Sequence, residues 1–378
     1  MVKEKSVILI GFMPNPRIYK RIAVEKELFE LHLICWDKGR NMLLQPEGKE
    51  YQVHILKYKA GNDPVKRMLP YMKFFRNAKR MLKEIAPKLI HVQGLDMLKI
   101  AVTYKKSAPY PVRIIYEVAD IHRLIASNPR SIGRKVIKQY LLFEDRRCCR
   151  DIDLLVVTSP KHVDTYFGNF IERDRILCMP NVPVLSAFAG YHKKPLCNPL
   201  VIGYIGSVRY KKQMHNLLDA AKECGLKVMI AGFEIEPAEI EARCKNIEEV
   251  EWIGRFDFDT QIADLYSKCN LIYSVYDADI ENVRIALPNK LYESIYCRIP
   301  IIVAKNTYLA QVVEEWGVGV AVDHREPEEL TAVLHKFADQ PDYYNRFEQQ
   351  CLLHKAEVNL ERYNALLRNR IVDWFRIK

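Results

Sequence analysis

The chain has 378 residues, 49 % hydrophobic and 28 % charged, a make-up that fits a globular protein of two or three domains and excludes disordered and collagen-like chains. No apolar run approaches the roughly 20 residues that cross a bilayer. Met1–Lys5 leads into a strand-length run without the core of a signal peptide, so a cytoplasmic protein is expected. The net charge of +11 is unevenly placed: residues 1–200 carry +17, of which +15 falls in 51–150, and residues 201–378 carry −6. Two halves of opposite sign predict domains with different partners, the basic one facing something anionic. The ten cysteines are scattered with no C-x-x-C, which predicts small buried thiols rather than disulfides or a zinc site.

In chain order, strands are predicted at Ser6–Phe12, Leu31–Trp36, Tyr51–Lys57, Lys88–Val92, Val112–Val118, Asp153–Thr158 and Arg175–Met179. Several are continuous apolar runs, as parallel strands buried on both faces require. Helices are predicted at Val65–Ile85, Arg134–Arg150 and Pro160–Phe170. The first inter-element loop, Gly11–Arg17, carries Pro14 and Pro16 and reads as a fixed turn. Residues 181–199, flanked and punctuated by Pro180, Pro183, Pro195 and Pro199, read as a linker. The alternation restarts with Leu200–Gly206, Lys227–Ala231, Val250–Ile253, Leu271–Val275, Ile299–Ala304 and Val318–Val322. The segment 356–378 reads as a helix with Leu360, Tyr363, Leu367, Ile371 and Trp374 on one stripe.

This pattern predicts an α/β protein of two doubly wound, Rossmann-like domains: 1–180, a linker at 181–199, then 200–355, with the helix 356–378 crossing back to the first domain. Ligands of such folds bind at the carboxyl ends of the strands, so a cleft between two facing domains is the expected site.

Two segments of the second domain carry chemistry. In LVIGYIGSVRYKKQMHNLLDA (200–220) a strand ends at Gly206, and a basic loop enters a helix near Lys211. Helix-start amides beside Arg209, Lys211 and Lys212 suit a diphosphate, and without a G-x-x-x-x-G-K-[ST] this is no Walker loop. In ALPNKLYESIYCRIPIIVA (286–304), Pro288 opens a helix that carries Asn289, Lys290 and Glu293 on its first turns. A carboxylate there can accept sugar hydroxyls, or it can simply complement the helix dipole.

The order of Gly206, Lys212, Leu217 and Ala220, then PNKLYES and Pro300–Ala304, resembles the donor domain of GT-B glycosyltransferases. The nearest type is the retaining family 4 group that builds bacterial surface polysaccharides; the resemblance covers the second domain and, more loosely, the first. It implies a GT-B fold and transfer of a sugar from a nucleotide-sugar (UDP- or GDP-sugar) to a glycan. It also implies donor contacts from Gly206, Arg209, Lys212, Asn289, Lys290 and Glu293, with Glu293 on the ribose. The arginine that the family places directly after the glycine is Ser207 here, and Arg209 is its substitute. Ile285 occupies the first position of the family's paired glutamates, and Glu281 is the nearby candidate for holding the donor sugar. Two D-x-D triplets, Asp257-Phe258-Asp259 and Asp277-Ala278-Asp279, spell a metal signature of the other glycosyltransferase fold. They read better as a helix N-cap by Asp259 and an acidic loop, so neither metal nor cofactor is expected.

In the first domain, LIHVQGLD (89–96) and VRIIYEVADIH (112–122) end strands and resemble family segments that line the cleft. His91 and Asp96 are expected to bind the acceptor, and Glu117, Asp120 and His122 to orient it or to stabilise positive charge at the anomeric carbon. The stretch Lys57–Lys88 interleaves ten Lys/Arg residues with aromatic and aliphatic ones, which predicts an anionic membrane surface and a lipid-linked acceptor. No nucleic-acid motif is present. A nucleotide-sugar 2-epimerase and a catalytically inactive GT-B scaffold are the alternatives; a dehydrogenase is disfavoured because no G-x-G-x-x-G follows any strand.

Overall fold

The computed structural model describes residues 3–39, 50–60, 64–234 and 238–376. These form two compact units, Met1–Pro180 with Glu361–Lys378 and Asn181–Leu360. No helix among the described residues is long and apolar enough to cross a membrane.

The first unit is built on a seven-stranded parallel sheet of order β3-β2-β1-β4-β5-β6-β7. Its strands are β1 (Lys5–Ile10), β2 (Glu30–Asp37), β3 (Gln52–Lys57), β4 (Leu89–Gln93), β5 (Arg113–Val118), β6 (Leu154–Val157) and β7 (Ile176–Cys178). Its helices are α1 (Pro16–Leu28), α2 (Pro64–Ile85), α3 (Leu95–Lys105), α4 (Arg123–Ala126), α5 (Ile132–Cys149) and α6 (Pro160–Thr165). The proline turn before α1 works as a helix start. Asn15 accepts hydrogen bonds from the backbone N–H groups of Arg17 (3.1 Å) and Ile18 (3.2 Å), and Pro16 opens the first turn. The sequence pattern overran α6. That helix stops at Tyr166, whose hydroxyl donates to buried Asp145 at 2.9 Å and whose ring packs edge-on against Phe167 and Phe170.

The second unit has a six-stranded parallel sheet of order β10-β9-β8-β11-β12-β13. Its strands are β8 (Val201–Ile205), β9 (Lys227–Ala231), β10 (Val250–Gly254), β11 (Leu271–Ser274), β12 (Ile301–Ala304) and β13 (Gly319–Val322). The helices are α7 (Lys211–Glu223), α8 (Glu239–Cys244), α9 (Phe258–Ser267), α10 (Glu281–Ile285), α11 (Asn289–Tyr296), α12 (Tyr308–Trp316), α13 (Pro327–Asp339) and α14 (Pro341–Leu353). The stretch 181–199, expected as a linker between the domains, is fastened to this unit. Phe188 is buried, the Tyr191 hydroxyl donates to the Cys297 carbonyl at 2.5 Å, and the Lys193 amine donates to the Arg298 carbonyl at 2.7 Å. Asp257 rather than Asp259 caps α9, accepting from the Thr260 N–H at 2.9 Å.

The last helix, α15 (Leu360–Phe375), starts later than the sequence pattern suggested, after a 3-10 turn at His354–Glu357. Leu367 and Ile371 join Val24, Phe29, Leu89, Ile115 and Leu154 in one core of the first unit. Phe375 meets Phe29 edge-on at 5.1 Å, and Arg368 pairs with Glu27 at 2.7 Å.

Structure also revises the expected membrane segment. Phe74, Ala78, Leu82 and Ile85 of α2 are buried, at the spacing of a helix face, and Phe74 stacks on Trp36 at 4.9 Å. Much of the apolar half of Lys57–Lys88 is therefore core, and among the described residues its exposed large apolar side chains are Met68, Leu69 and Met72 near its start. All ten cysteines are free thiols and seven are buried.

Candidate functional site

At the carboxyl edge of the second sheet, β8, β9 and β10 run into glycines. Gly206 (φ +135°), Gly232 (φ +150°) and Gly254 (φ +75°) adopt backbone angles that other residues rarely reach. They lie close together: the Gly206 N–H donates to the Ala231 carbonyl at 2.8 Å, and the Gly232 N–H to the Gly254 carbonyl at 2.7 Å. A Cβ on Gly232 would stand 1.9 Å from the Gly206 carbonyl oxygen. The edge is thus a backbone surface from which side chains are excluded, as close approach of a phosphate or sugar requires.

Two helix starts border this edge. Tyr210 and Pro288, at the N-cap positions of α7 and α11, give no side-chain cap, and the positive end of each helix dipole favours an anion there. Lys290 is buried. Its ammonium donates to the Tyr276 hydroxyl at 2.7 Å, lies 4.4 Å over the Tyr204 ring, and comes within 3.4 Å of where a Cβ on Gly206 would be. The rings of Tyr210 and Tyr276 meet at 5.0 Å, and Arg209 acts electrostatically on Tyr204. The structure therefore gathers Gly206, Arg209 and Lys290 around three tyrosines that sequence reasoning passed over; their signal was a tyrosine beside each strand end.

Lys211 is drawn away, pairing with Glu234 (3.4 Å) and Glu239 (3.6 Å), whereas Lys212 is exposed and makes no ion pair among the described residues. Glu293 lies buried one turn beyond Lys290 and accepts from the Tyr266 hydroxyl at 2.7 Å. The side-chain amide oxygen of Asn289 accepts from the Asn181 side-chain amide. Glu281 is half-exposed at the start of α10 and pairs with Arg284 at 3.4 Å.

A carboxylate and imidazole group lies nearby. The ligand atoms of Asp277, Asp279 and His324 all fall within 4.8 Å of one another. They are already engaged, Asp279 by Arg325 and the His324 ring by the Gln213 amide at 3.3 Å.

In the first unit two expected acceptor contacts prove to be interior. Glu117 is held by both guanidinium arms of Arg21, at 2.9 and 3.0 Å, and His91 bridges Glu25 (2.6 Å) and Glu117 (3.2 Å). All four residues are buried. They alternate in charge and sum to zero when His91 is protonated. His91 and Glu117 point from the middle strands onto the face covered by α1, where Arg21 and Glu25 sit one turn apart, so neither is open to a substrate. Burial pushes the His91 imidazole down, but its hydrogen bonds to both carboxylates outweigh this and raise its pKa to about 9. Burial likewise opposes the charge on Glu117, yet Arg21 and His91 hold it well below the usual carboxylate range.

Asp96, Asp120 and His122 do lie exposed beyond the strand ends. His122 is also the N-cap of α4, accepting from the Leu124 N–H at 3.2 Å. Partial desolvation lowers the His122 pKa, Asp96 acts to raise it, and Arg67 adds to the lowering. Three further groups stand at this edge that the sequence did not single out. Nε of Arg17 after β1, Oε1 of Gln93 at the end of β4 and both ring nitrogens of His162 after β6 are buried without a hydrogen-bond partner among the described residues. His162 feels Asp120 and Arg17, and burial drops its pKa to about 4. Unsatisfied donors and acceptors of both kinds at the ends of three strands suit the hydroxyls of a sugar.

These titrations give a signed expectation. His91, raised from 6.5 to about 9, contributes stability that is complete below pH 6.5 and is lost as pH rises through about 9. His162, lowered from 6.5 to about 4, leaves the unfolded chain the better proton acceptor between those values, so stability falls as pH drops through that window. Glu117, lowered from 4.5, adds a further loss below its unfolded value. Urea midpoints are expected to peak at about pH 7 and decline on both sides; a midpoint still rising at pH 9 would contradict the His91 assignment.

Residues 192–351 match the family described as Glycosyl transferases group 1. The chain is 22 % identical over 265 residues to the succinoglycan biosynthesis protein ExoL of Rhizobium meliloti (strain 1021), a match covering 66 % of this chain and 63 % of that protein. Among solved structures it resembles a sucrose-phosphate synthase from Thermosynechococcus elongatus, with TM-score 0.75 and 13 % identity over 99 % of this chain and 100 % of that one. It also resembles Anabaena Alr3699/HepE in complex with UDP-glucose, with TM-score 0.69 and 14 % identity over 97 % and 99 %. With two doubly wound parallel sheets the chain has the GT-B fold, and residues 192–351 of its second unit match the group 1 glycosyl transferases.

Proposed function

We propose that the chain transfers a sugar from a UDP- or GDP-sugar to a lipid-linked glycan in the building of a bacterial surface polysaccharide, at the cytoplasmic face of a membrane and without a metal ion. The observation that carries this reading is the side-chain-free glycine edge of the second sheet, with the buried Lys290 ammonium against Gly206. The ExoL likeness supports the polysaccharide, and the UDP-glucose complex of the Anabaena protein supports a uridine nucleotide.

In this reading the donor diphosphate sits on the glycine edge and the first-turn amides of α7. Arg209, Lys212 and Lys290 stabilise the charge that builds on it as the glycosidic bond breaks. Glu293, with Asn289, takes the ribose, and Glu281 takes donor-sugar hydroxyls. Asp120 and His122, with Arg17, Gln93 and His162, orient the acceptor sugar, and Asp96 lies at its rim. The acceptor oxygen bonds to the anomeric carbon, the bond to the diphosphate breaks, and the acceptor proton passes to the departing phosphate oxygen. That sequence needs no enzymic base and leaves the configuration retained.

Thermal melts of the full chain with UDP-, GDP-, ADP- and dTDP-sugars in EDTA test this. One nucleotide class is expected to raise the melting temperature, by about 3 kcal/mol of linkage at a hundred times its dissociation constant, and Lys212→Ala is expected to remove most of that rise. If no nucleotide shifts the melt, or if EDTA abolishes a shift seen with Mg²⁺, the donor assignment is overturned in its present form.

A further inference from the structure

The first twelve residues of α5 are almost entirely solvent-facing, yet they carry large apolar side chains. Ile132 is 80 % exposed, Val136 63 %, Tyr140 54 % and Phe143 63 %. At 100° per residue these four fall within an arc of about 80°. Arg134 and Lys135 are exposed on the remainder of the helix, and the Lys138 amine reaches back to the Ser127 carbonyl at 2.7 Å. Exposed apolar residues are ordinary when scattered, whereas a continuous stripe with two aromatic rings marks a contact surface.

Exposed Met68, Leu69 and Met72 of α2 extend this surface. The two helices run close enough that Tyr71 of α2 feels Tyr140 and Glu144 of α5. Charge decides what covers them. From Ile121 to Phe143 the sequence holds five Lys/Arg and no Asp/Glu, and from Pro64 to Lys83 seven and none. An apolar stripe flanked mainly by cations matches an anionic bilayer interface, where rings enter the headgroup layer and cations meet phosphates. The position fits as well: Arg67 of α2 and Asp96 both act on His122, so the surface borders the polar edge with the unsatisfied Arg17, Gln93 and His162 groups.

We infer that the outer face of α5, joined by the first turns of α2, is the surface by which this protein lies on an anionic bilayer, presenting the carboxyl edge of the first sheet to an acceptor held there by its lipid. The link to a lipid-held acceptor rests on the function proposed above; the docking surface does not.

The experiment is vesicle co-sedimentation of the full chain, comparing phosphatidylcholine vesicles with vesicles containing about a third phosphatidylglycerol. The wild type is expected to bind the anionic vesicles, weakly or not at all the neutral ones, and to be released by salt. The triple variant Ile132→Ser, Val136→Ser, Phe143→Ser changes exposed positions only, so its melting temperature should stay close to wild type. Its partition coefficient is expected to fall at least about tenfold. Absence of binding to anionic vesicles overturns the inference, as does a triple variant that binds like wild type. Light scattering showing a wild-type dimer and a monomeric variant would overturn it in favour of a second copy of the chain on α5. The nucleotide-induced melting shift is read in parallel: its loss in wild type strikes the donor reading alone, and its retention without vesicle binding strikes only this one.

Discussion

Gly232→Ala is expected to lower the melting temperature of the second unit by roughly 6–12 °C and to abolish its response to nucleotide-sugars. The new Cβ would meet the Gly206 carbonyl oxygen at 1.9 Å and its carbon at 2.7 Å. Both are backbone atoms that no rotamer change can move aside, and φ at Gly232 is +150°. Overpacking and backbone strain together cost about 3 kcal/mol, and each kcal/mol shifts a unit of this size by roughly 2–4 °C. Gly225→Ala is the control. That glycine has φ +64° and nothing within 4 Å of the added carbon, so only about 1 kcal/mol of left-handed strain is expected and the nucleotide response should survive. Equal behaviour of the two variants would remove the glycine edge from the account of the donor site.

Glu117→Ala is the second large effect. Arg21 would be left buried with no carboxylate on either arm, and His91 would keep only Glu25. Breaking a buried pair from one side costs about 3–5 kcal/mol, a large part of a unit's stability. Removing both partners with Glu117→Leu and Arg21→Met should recover much of that loss, because neither group is then left alone. Urea midpoints of the two variants and the wild type measure the pattern. If Glu117→Ala melts like wild type but loses catalysis, the carboxylate faces a substrate and the interior assignment fails.

The Glu117 and His91 case shows what a sequence conceals. Both strand ends were located to within a residue or two, because near-continuous apolar runs between helices allow little else. A strand, however, sends successive side chains to opposite faces, and at β4 and β5 one face is covered by α1. The partners Arg21 and Glu25 lie on a helix 66 to 96 residues earlier in the chain, and nothing local announces them. The glycine edge of the second sheet was more legible. A strand ending in glycine, a basic loop and a helix start are contiguous, so the grouping of Gly206 with Arg209 could be read directly, and only the tyrosines framing Lys290 needed the fold. The exposed stripe of α5 was invisible for a different reason: periodicity reveals an amphipathic helix but not whether its apolar side finds a partner. In α2 that side largely did, against Trp36; in α5 it did not.

The first unit is discontinuous along the chain, closed by α15 from residues that follow the whole of the second unit. During synthesis on a ribosome, its sheet emerges complete yet without Leu367 and Ile371 over Leu89, Ile115 and Leu154. The second unit, continuous from 181 to 360, can finish folding first, and the earlier half of the protein must wait for the later half to be made. That order leaves an apolar sheet face uncovered for the time needed to add about 180 residues, roughly 10–40 s at bacterial-like elongation rates.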